Sequence, residues 1–98
     1  MRLFAVVKRY MGVVNDCGAF ADREAAERHA NTLNGQGNPA VIESPVFGGT
    51  EGQLEVFVAY TYDPGSDLHD LEGLYGSFEA AKSVAGNHGH VLVRRIQS

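Results

Sequence analysis

The chain has 98 residues, of which 44% are hydrophobic and 20% are charged, and its formal net charge at pH 7 is −4. A chain of this length holds one hydrophobic core, since separate cores need roughly 100 residues each, and its composition excludes a disordered tail and a fibrous protein. The single cysteine, Cys17, excludes an intramolecular disulfide, and the first apolar run, LFAVV (3–7), is too short for a signal peptide or a membrane span. We therefore expect a cytoplasmic domain that does not act on a membrane.

The predicted elements begin with a strand over LFAVVKRY (3–10) and a second strand after it. A helix then starts at Asp22, whose carboxylate can accept hydrogen bonds from the free amides of the first turn. We interpret His29, on the apolar face of this helix, as a half-buried side chain with a ring nitrogen bonded to a strand carbonyl. The polar, glycine-containing NGQGNP ends the helix, and AVIES (40–44) predicts a third strand. At helical spacing, the apolar face comprises Ala25, Ala26, His29, Ala30 and Leu33.

The second half of the chain repeats this pattern. GAFADREAAERHA (18–30) and GLYGSFEAAKSVA (73–85) share five identities in thirteen positions without a gap. VFVAYTYD (56–63) corresponds to the first strand of the first half, and VLVRR (91–95) corresponds to its last. Ser77 takes the N-cap position of Asp22, and Ala80, Ala81, Val84 and Ala85 repeat the apolar helical face.

The stretch SPVFGGTEGQ between the halves has an early proline and two adjacent glycines, which indicates a connector. The sequence thus predicts one domain over 1–98, with a first ββαβ half over 1–46, a glycine-rich connector over 47–53 and a second ββαβ half over 54–98. Two such units sharing a core predict an α+β fold: a mainly antiparallel sheet of about six strands with two helices on one face, related by a pseudo-two-fold axis. Two half-barrels facing each other are the alternative arrangement.

The pattern of an apolar strand, a polar turn and then GAFADREAA or GLYGSFEAA opening a helix resembles a motif of small uncharacterised bacterial and phage proteins. The resemblance covers both halves and implies a duplicated strand-strand-helix-strand unit. It implies no shared chemistry.

Both faces of the predicted strands are apolar. Leu3, Ala5 and Val7 alternate with residues of the opposite face, as do Val56 and Val58. If the helices cover one face, the other needs cover from the connector with Val46 and Phe47, from a second copy of the chain or from another protein. We therefore predict a sheet-face interface at Phe4, Val6 and Phe57, with Ala59 beside them.

The stretch YDPGSDLHDLEG (62–73) is the most acidic part of the chain, and it predicts a solvated hairpin tip with DPG as the turn. If this tip binds anything, a basic surface of a protein partner is the simplest ligand. Tyrosine offers a large contact area at low entropic cost, and carboxylates speed the encounter with such a partner. The predicted partner-binding residues are Tyr60, Tyr62, Asp63, Asp67, Asp70, Glu72 and Tyr75.

No known catalytic or phosphate-binding motif occurs in the sequence, so we assign no catalytic residues, no cofactor and no metal site. Basic residues are too scattered to follow a phosphate backbone, which disfavours nucleic acid as a partner. We interpret His88 and His90 as helix-end residues, and Cys17, beside the anionic Asp16, as a structural thiol.

The sequence therefore predicts a small, non-enzymatic module that binds a protein, either a second copy of itself or a different target. A regulatory inhibitor of bacterial or phage origin fits the size and charge. The alternatives are a small-ligand or metal sensor, with a cleft near His88 and His90, and a small enzyme without a recognisable motif.

Overall fold

The computed structural model describes residues 1–10, 13–33 and 38–98. Within these residues the chain forms strands, two helices and short turns. In chain order the elements are β1 (Arg2–Tyr10), β2 (Val13–Phe20), α1 (Arg23–Thr32), β3 (Asn38–Phe47), β4 (Glu55–Asp63), β5 (Leu68–Tyr75), α2 (Phe78–Ala85) and β6 (His90–Gln97). The order strand, strand, helix, strand thus occurs twice.

The strands close into a barrel in the order β1-β2-β6-β4-β5-β3. Within each half the pairing is antiparallel: β1 lies between β2 and β3, and β4 lies between β5 and β6. The halves meet along two parallel seams, β2 with β6 and β3 with β5. Two three-stranded half-barrels therefore face each other, which is the alternative arrangement considered from the sequence.

The predicted open antiparallel sheet with helices on one face is wrong. The physical reason is that both faces of the strands are apolar, and closure of the barrel buries one of them without any helix. Nine buried side chains fill the barrel interior, and they come from both halves: Leu3, Ala5, Val7, Ala19, Val46, Val56, Val58, Tyr60 and Leu74. The chain has a β-barrel fold, and not the α+β fold predicted.

The helices cover the outer face of the strands, one on each half. Under α1, Val6 is fully buried, and Phe4 packs against the same cluster. Under α2, Ala59 is fully buried, with Phe57 packed against it. The face predicted as an interface at Phe4, Val6 and Phe57 is therefore largely covered by the helices of the same chain.

The helices begin where the sequence predicts. The Asp22 carboxylate accepts a hydrogen bond from the Ala25 amide at 3.1 Å, and the Ser77 hydroxyl accepts one from the Ala80 amide at 3.2 Å. These bonds confirm both predicted N-caps. Neither helix of the described chain is long and apolar enough to cross a membrane.

Each parallel seam is paired over only two residues on each strand. β2 and β6 pair at Ala19–Ile96 and Phe20–Gln97, and β3 and β5 pair at their equivalent ends. Beyond these pairs the strands diverge, so the barrel has a paired end and an open end. The Cα trace is correspondingly flat, with extents of 37 × 33 × 15 Å.

Where β2 is not paired with β6, the backbone N–H groups on the free edge of β2 donate hydrogen bonds to side chains. The Val14 amide donates to Asp70 Oδ1 at 2.9 Å, the Asp16 amide to the Tyr60 hydroxyl at 2.8 Å, and the Gly18 amide to Asp16 Oδ1 at 3.0 Å. This edge is therefore satisfied without a neighbouring strand.

Candidate functional site

The strand register shows which residues of the two halves are equivalent. Phe4 pairs with Phe20 as Phe57 pairs with Tyr75. Farther along the same strands, Val7 pairs with Ala40 as Tyr60 pairs with His90. Each position in one half thus has a reference position in the other, and differences between the two show where the halves have specialised.

The first difference lies on the outer surface near the paired end. On the side of the barrel that α2 covers, directly paired residues form a row across four strands, and the row crosses the β3–β5 seam: Phe47, Tyr75, Phe57 and Val93. Phe47 is 53% exposed and Val93 is 50% exposed, while Tyr75 and Phe57 are half-buried between them. The Phe47 and Tyr75 ring centroids lie 5.4 Å apart. This row presents apolar side chains to solvent.

The equivalent row on the side that α1 covers has polar ends. It crosses the β2–β6 seam and runs through Gln97, Phe20, Phe4 and Glu43. Phe20 is buried, and Gln97 and Glu43 are exposed. Where Phe47 and Val93 stand on the α2 side, the α1 side therefore carries an amide and a carboxylate.

The first residue of the helix is likewise polar in α1 and apolar in α2. Arg23 begins α1, and its guanidinium carbon lies 4.9 Å from the centroid of the Phe4 ring. Phe78 begins α2 at the equivalent position of the repeat and is 47% exposed. We call the set on the α2 side the Phe47 surface: Phe47, Phe57, Tyr75, Phe78 and Val93.

The second difference lies inside the open end of the barrel. In the second half this space holds a cluster of aromatic rings. The Tyr60 and His90 rings stack at 4.8 Å, the His90 and His69 rings meet edge to face at 4.7 Å, and Tyr62 lies 5.0 Å from His69. His88 borders the cluster, 6.3 Å from Tyr62.

Burial sets the electrostatics of this cluster. The pKa of His90 is lowered, first by burial and then by the neighbouring His69 ring, so a neutral imidazole is favoured there. His69 Nδ1 is buried without a hydrogen-bond partner among the described residues. The pKa of the Tyr60 hydroxyl is raised, chiefly by burial. A plug of packed rings thus closes this half of the open end.

In the first half the equivalent positions carry smaller or non-aromatic side chains. Val7 replaces Tyr60, Ala40 replaces His90, and Val14 replaces His69. These residues border a hollow of about 340 Å³, which is half open to solvent. Its lining comprises Val7, Arg9, Val14, Asn38, Ala40 and Ile42. We call this the first-half hollow.

A smaller cavity of about 140 Å³ lies next to the hollow and shares Val7 and Ile42 with it. Asp16, Ser44 and Glu72 are among the polar residues that line this inner cavity. Together the two spaces form one groove along the unpaired part of the β3–β5 seam.

The other seam is closed by an ion pair. Asp16 on β2 bonds the Arg94 guanidinium on β6, and the Asp16 side chain is only 2% exposed. The hydrogen bond to Asp16 raises the pKa of Arg94. The β2–β6 seam therefore has a polar bridge that the β3–β5 seam lacks at the corresponding place.

The predicted contact tyrosines are placed in different surroundings. Tyr60 is 3% exposed because barrel closure turns it inward, so it cannot serve as the predicted contact residue. Tyr62 is half-buried and donates a hydrogen bond to Asp67 Oδ1 at 2.5 Å, which is the largest cause of its raised pKa. Tyr75 alone of the three lies in the Phe47 surface.

The acidic residues at 62–73 are divided between the hairpin tip and β5. Asp63 accepts hydrogen bonds from the Gly65 amide and the Ser66 hydroxyl, which fixes the turn. Asp70 accepts from the Val14 amide, and Glu72 accepts from the Thr61 hydroxyl at 3.3 Å. Asp63 thus organises its own turn, whereas Asp70 joins β5 to β2. Asp63, Asp67 and Asp70 lie toward the open end, away from Tyr75, and Glu72 is three residues from Tyr75 on β5.

The structure gives the remaining candidate residues structural surroundings. His29 Nε2 donates to the Cys17 carbonyl at 3.0 Å, which confirms the predicted bond to a strand carbonyl. Burial raises the pKa of the Cys17 thiol, and Asp16 raises it further, which disfavours the reactive thiolate. Among the described residues, no group of three or more His, Cys, Asp or Glu side chains could hold a metal ion.

Sequence reasoning missed Phe47, Phe78 and Val93 as surface residues. The repeat held the signal for Phe78, since the gapless alignment sets it against Arg23. Phe47 was assigned to the connector, and Val93 to the core strands. Comparison with known proteins found no matching family model, no matching curated protein and no matching solved structure.

Proposed function

We propose that this protein is a non-enzymatic module of the cytoplasm that binds another protein through the Phe47 surface. The partner is either a second copy of the chain or a different protein. The proposal rests chiefly on one observation: three positions that are polar on the α1 side, Gln97, Glu43 and Arg23, correspond to the half-exposed Phe47, Val93 and Phe78 on the α2 side.

The fold itself does not require apolar residues at these positions. The α1 side has the equivalent strand pairs and helix start with an amide, a carboxylate and a guanidinium there. An exposed apolar set with aromatic members is typical of a surface that contacts a protein. Phe47 and Tyr75 already contact each other, so a partner would meet a partly ordered pair of rings.

The acidic residues Asp63, Asp67, Asp70 and Glu72 have a secondary place in this proposal. Tyr62 and Phe57 are five residues apart on β4, so Asp63 and Asp67 at the tip lie about 16 Å from the aromatic row at the usual strand rise, and Glu72, three residues from Tyr75 on β5, lies about 10 Å from it. At these distances the carboxylates steer a basic partner in a salt-dependent way without forming the apolar contact.

The test places the residues of the α1 side at the equivalent positions of the α2 side, as the triple variant Phe47→Gln, Phe78→Arg, Val93→Glu. All three side chains are about half exposed, so the fold should persist. The association of wild type and variant is measured by sedimentation equilibrium, and by capture from a lysate of the source cells with identification of the bound protein. Glu24→Gln on the exposed side of α1 is the control.

We expect wild type and the control to form a dimer or to retain one stoichiometric partner, and the triple variant to lose that association at least tenfold. A wild-type protein that stays monomeric and captures no partner would overturn the proposal. So would a complex that the triple variant retains at full strength.

A further inference from the structure

The first-half hollow is a space that the second half fills with its own side chains. Its six lining residues occupy the positions of Tyr60, Tyr62, His69, His88, His90 and Leu92. The rings that fill the second half are planar: Tyr60 and His90 stack, and His69 meets His90 edge to face. The strands around both spaces have equivalent pairing as far as Val7–Ala40 and Tyr60–His90, so an object of similar shape should suit the hollow.

The volume of the hollow is appropriate for a small molecule. About 340 Å³ lies near the lower end of the range for ligand pockets, and the inner cavity adds about 140 Å³. Val7, Val14 and Ile42 provide apolar walls, and Ile42 is 45% exposed although it is on the inner face of its strand. A bound ring system would remove this apolar area from water.

The charges around the groove indicate the orientation and sign of the ligand. Arg9, at the outer rim, is exposed and makes no ion pair with any described residue. The lining of the inner cavity includes Glu72 and Asp16, whose charge is paired with Arg94, and among the described residues it contains no Lys or Arg side chain that would attract an anion. An anionic group is therefore favoured at the rim and disfavoured inside, whereas an uncharged ring is favoured inside.

We propose that the first-half hollow binds a small planar aromatic anion, whose rings take the space that Tyr60 and His90 fill in the second half and whose anionic group pairs with Arg9. This site shares no residue with the Phe47 surface and does not depend on the protein-binding proposal. Asn38, at the rim beside Arg9, supplies a further polar contact for the anionic group.

The experiment is a titration of isotope-labelled protein followed by NMR, with 2-naphthoate as the probe. Its neutral counterpart, 2-naphthalenemethanol, has the same rings without the charge. We expect 2-naphthoate to give saturable shifts at the Val7, Val14 and Ile42 methyl groups. The neutral probe should shift the same methyl groups with weaker affinity, because it lacks the ion pair with Arg9.

Two variants test the two parts of the site. Arg9→Gln should weaken 2-naphthoate binding about fivefold and leave the neutral probe unchanged, as expected for an exposed, screened ion pair. Arg95→Gln is the matched control, since it removes an exposed arginine of β6 that is not in the hollow. Ala40→Phe should abolish binding of both probes by filling the hollow. Its side chain starts from an exposed position, which favours a folded variant.

Shifts that centre on the Phe47 surface, or that do not saturate, would overturn the proposal. It would also fail if Arg9→Gln and Arg95→Gln bound 2-naphthoate equally well. If Ala40→Phe does not fold, the comparison of the two arginine variants with the charged and neutral probes still decides the matter.

Discussion

Asp16 shows how one residue can acquire its role entirely from tertiary structure. In the sequence it is an acidic neighbour of Cys17. In the fold its carboxylate is turned into the barrel, where it pairs with Arg94 and accepts the Gly18 amide, while its own amide donates to Tyr60. The partners Tyr60 and Arg94 lie 44 and 78 residues away along the chain, so no local pattern indicates them.

We predict that Asp16→Asn destabilises the protein by about 2 kcal/mol, because it leaves Arg94 without its counter-charge in a partly buried setting. Glu43→Gln is the matched comparison, since it breaks the exposed pair with Arg2 and should cost no more than about 0.5 kcal/mol. Urea unfolding of the three proteins provides the measurement. Equal losses in the two variants would contradict a structural role for the buried carboxylate.

Other residues could be predicted because their surroundings are local. The N-caps Asp22 and Ser77 follow from the sequence of a single helix turn, and His29 follows from its place on a helical face. Tyr60 could not be placed, since the alternation of its strand leaves open which face is inside. Barrel closure decided that choice and turned a predicted contact residue into a core residue.

At the scale of elements, the strand alternation and the repeat predict the order of strands and helices. No sequence pattern predicts the parallel pairing between the two halves. The alternate residues predicted to share a face, Leu3, Ala5 and Val7 on β1 and Val56 and Val58 on β4, do lie on one side of the sheet. The parallel pairing of β2 with β6 and of β3 with β5 joins strands that are far apart in sequence, and it rests on two residue pairs in each seam. Such short contacts leave no periodic signal, which is why an open sheet was predicted.

The glycine that opens each repeat also has an element-scale explanation. Gly18 and Gly73 lie where the register of β2 against β1 and of β5 against β4 shifts by a β-bulge. Gly18 has a φ of 135°, which other residues rarely adopt, and a β-carbon at that position would lie 3.0 Å from the Phe20 ring. The repeat therefore preserves a bend in the strand.

We predict that Asp22→Ala and Ser77→Ala each lower the free energy of unfolding by about 1 kcal/mol, because each removes an acceptor for a first-turn amide. Ser83→Ala, at an exposed position within α2, is the control and should change it by less than about 0.5 kcal/mol. Thermal unfolding followed by circular dichroism measures all three. A loss for Ser83→Ala as large as for Ser77→Ala would point to helix propensity and away from capping.

At the scale of the molecule, the two halves share one interior. Leu3 and Val7 of the first half lie in the same core cluster as Val56 and Leu74 of the second. Neither half can bury its inner face alone, so the repeat is a unit of sequence and not of folding.

We predict that fragments 1–50 and 51–98 are each unfolded when made separately, and that an equimolar mixture regains the fold. A pair of first-half fragments would lack Arg94, the partner of the buried Asp16, which disfavours a symmetric dimer of that fragment. The dispersion of amide signals in NMR spectra of the fragments and the mixture is the measurement. A dispersed spectrum from either fragment alone would contradict a shared core.

The short seams also have a mechanical consequence. Both are paired at the same end of the barrel, so backbone pairing joins the two three-stranded sheets at that end and not at the other. Moving the open end breaks no seam ladder, and the polar contacts that resist it include the Asp16–Arg94 bridge and the bonds of Asp16 to Tyr60 and Val14 to Asp70. The separation of the two sheets at the open end therefore depends on side-chain contacts and not on backbone pairing. The same contacts govern the size of the molecule that the first-half hollow can admit.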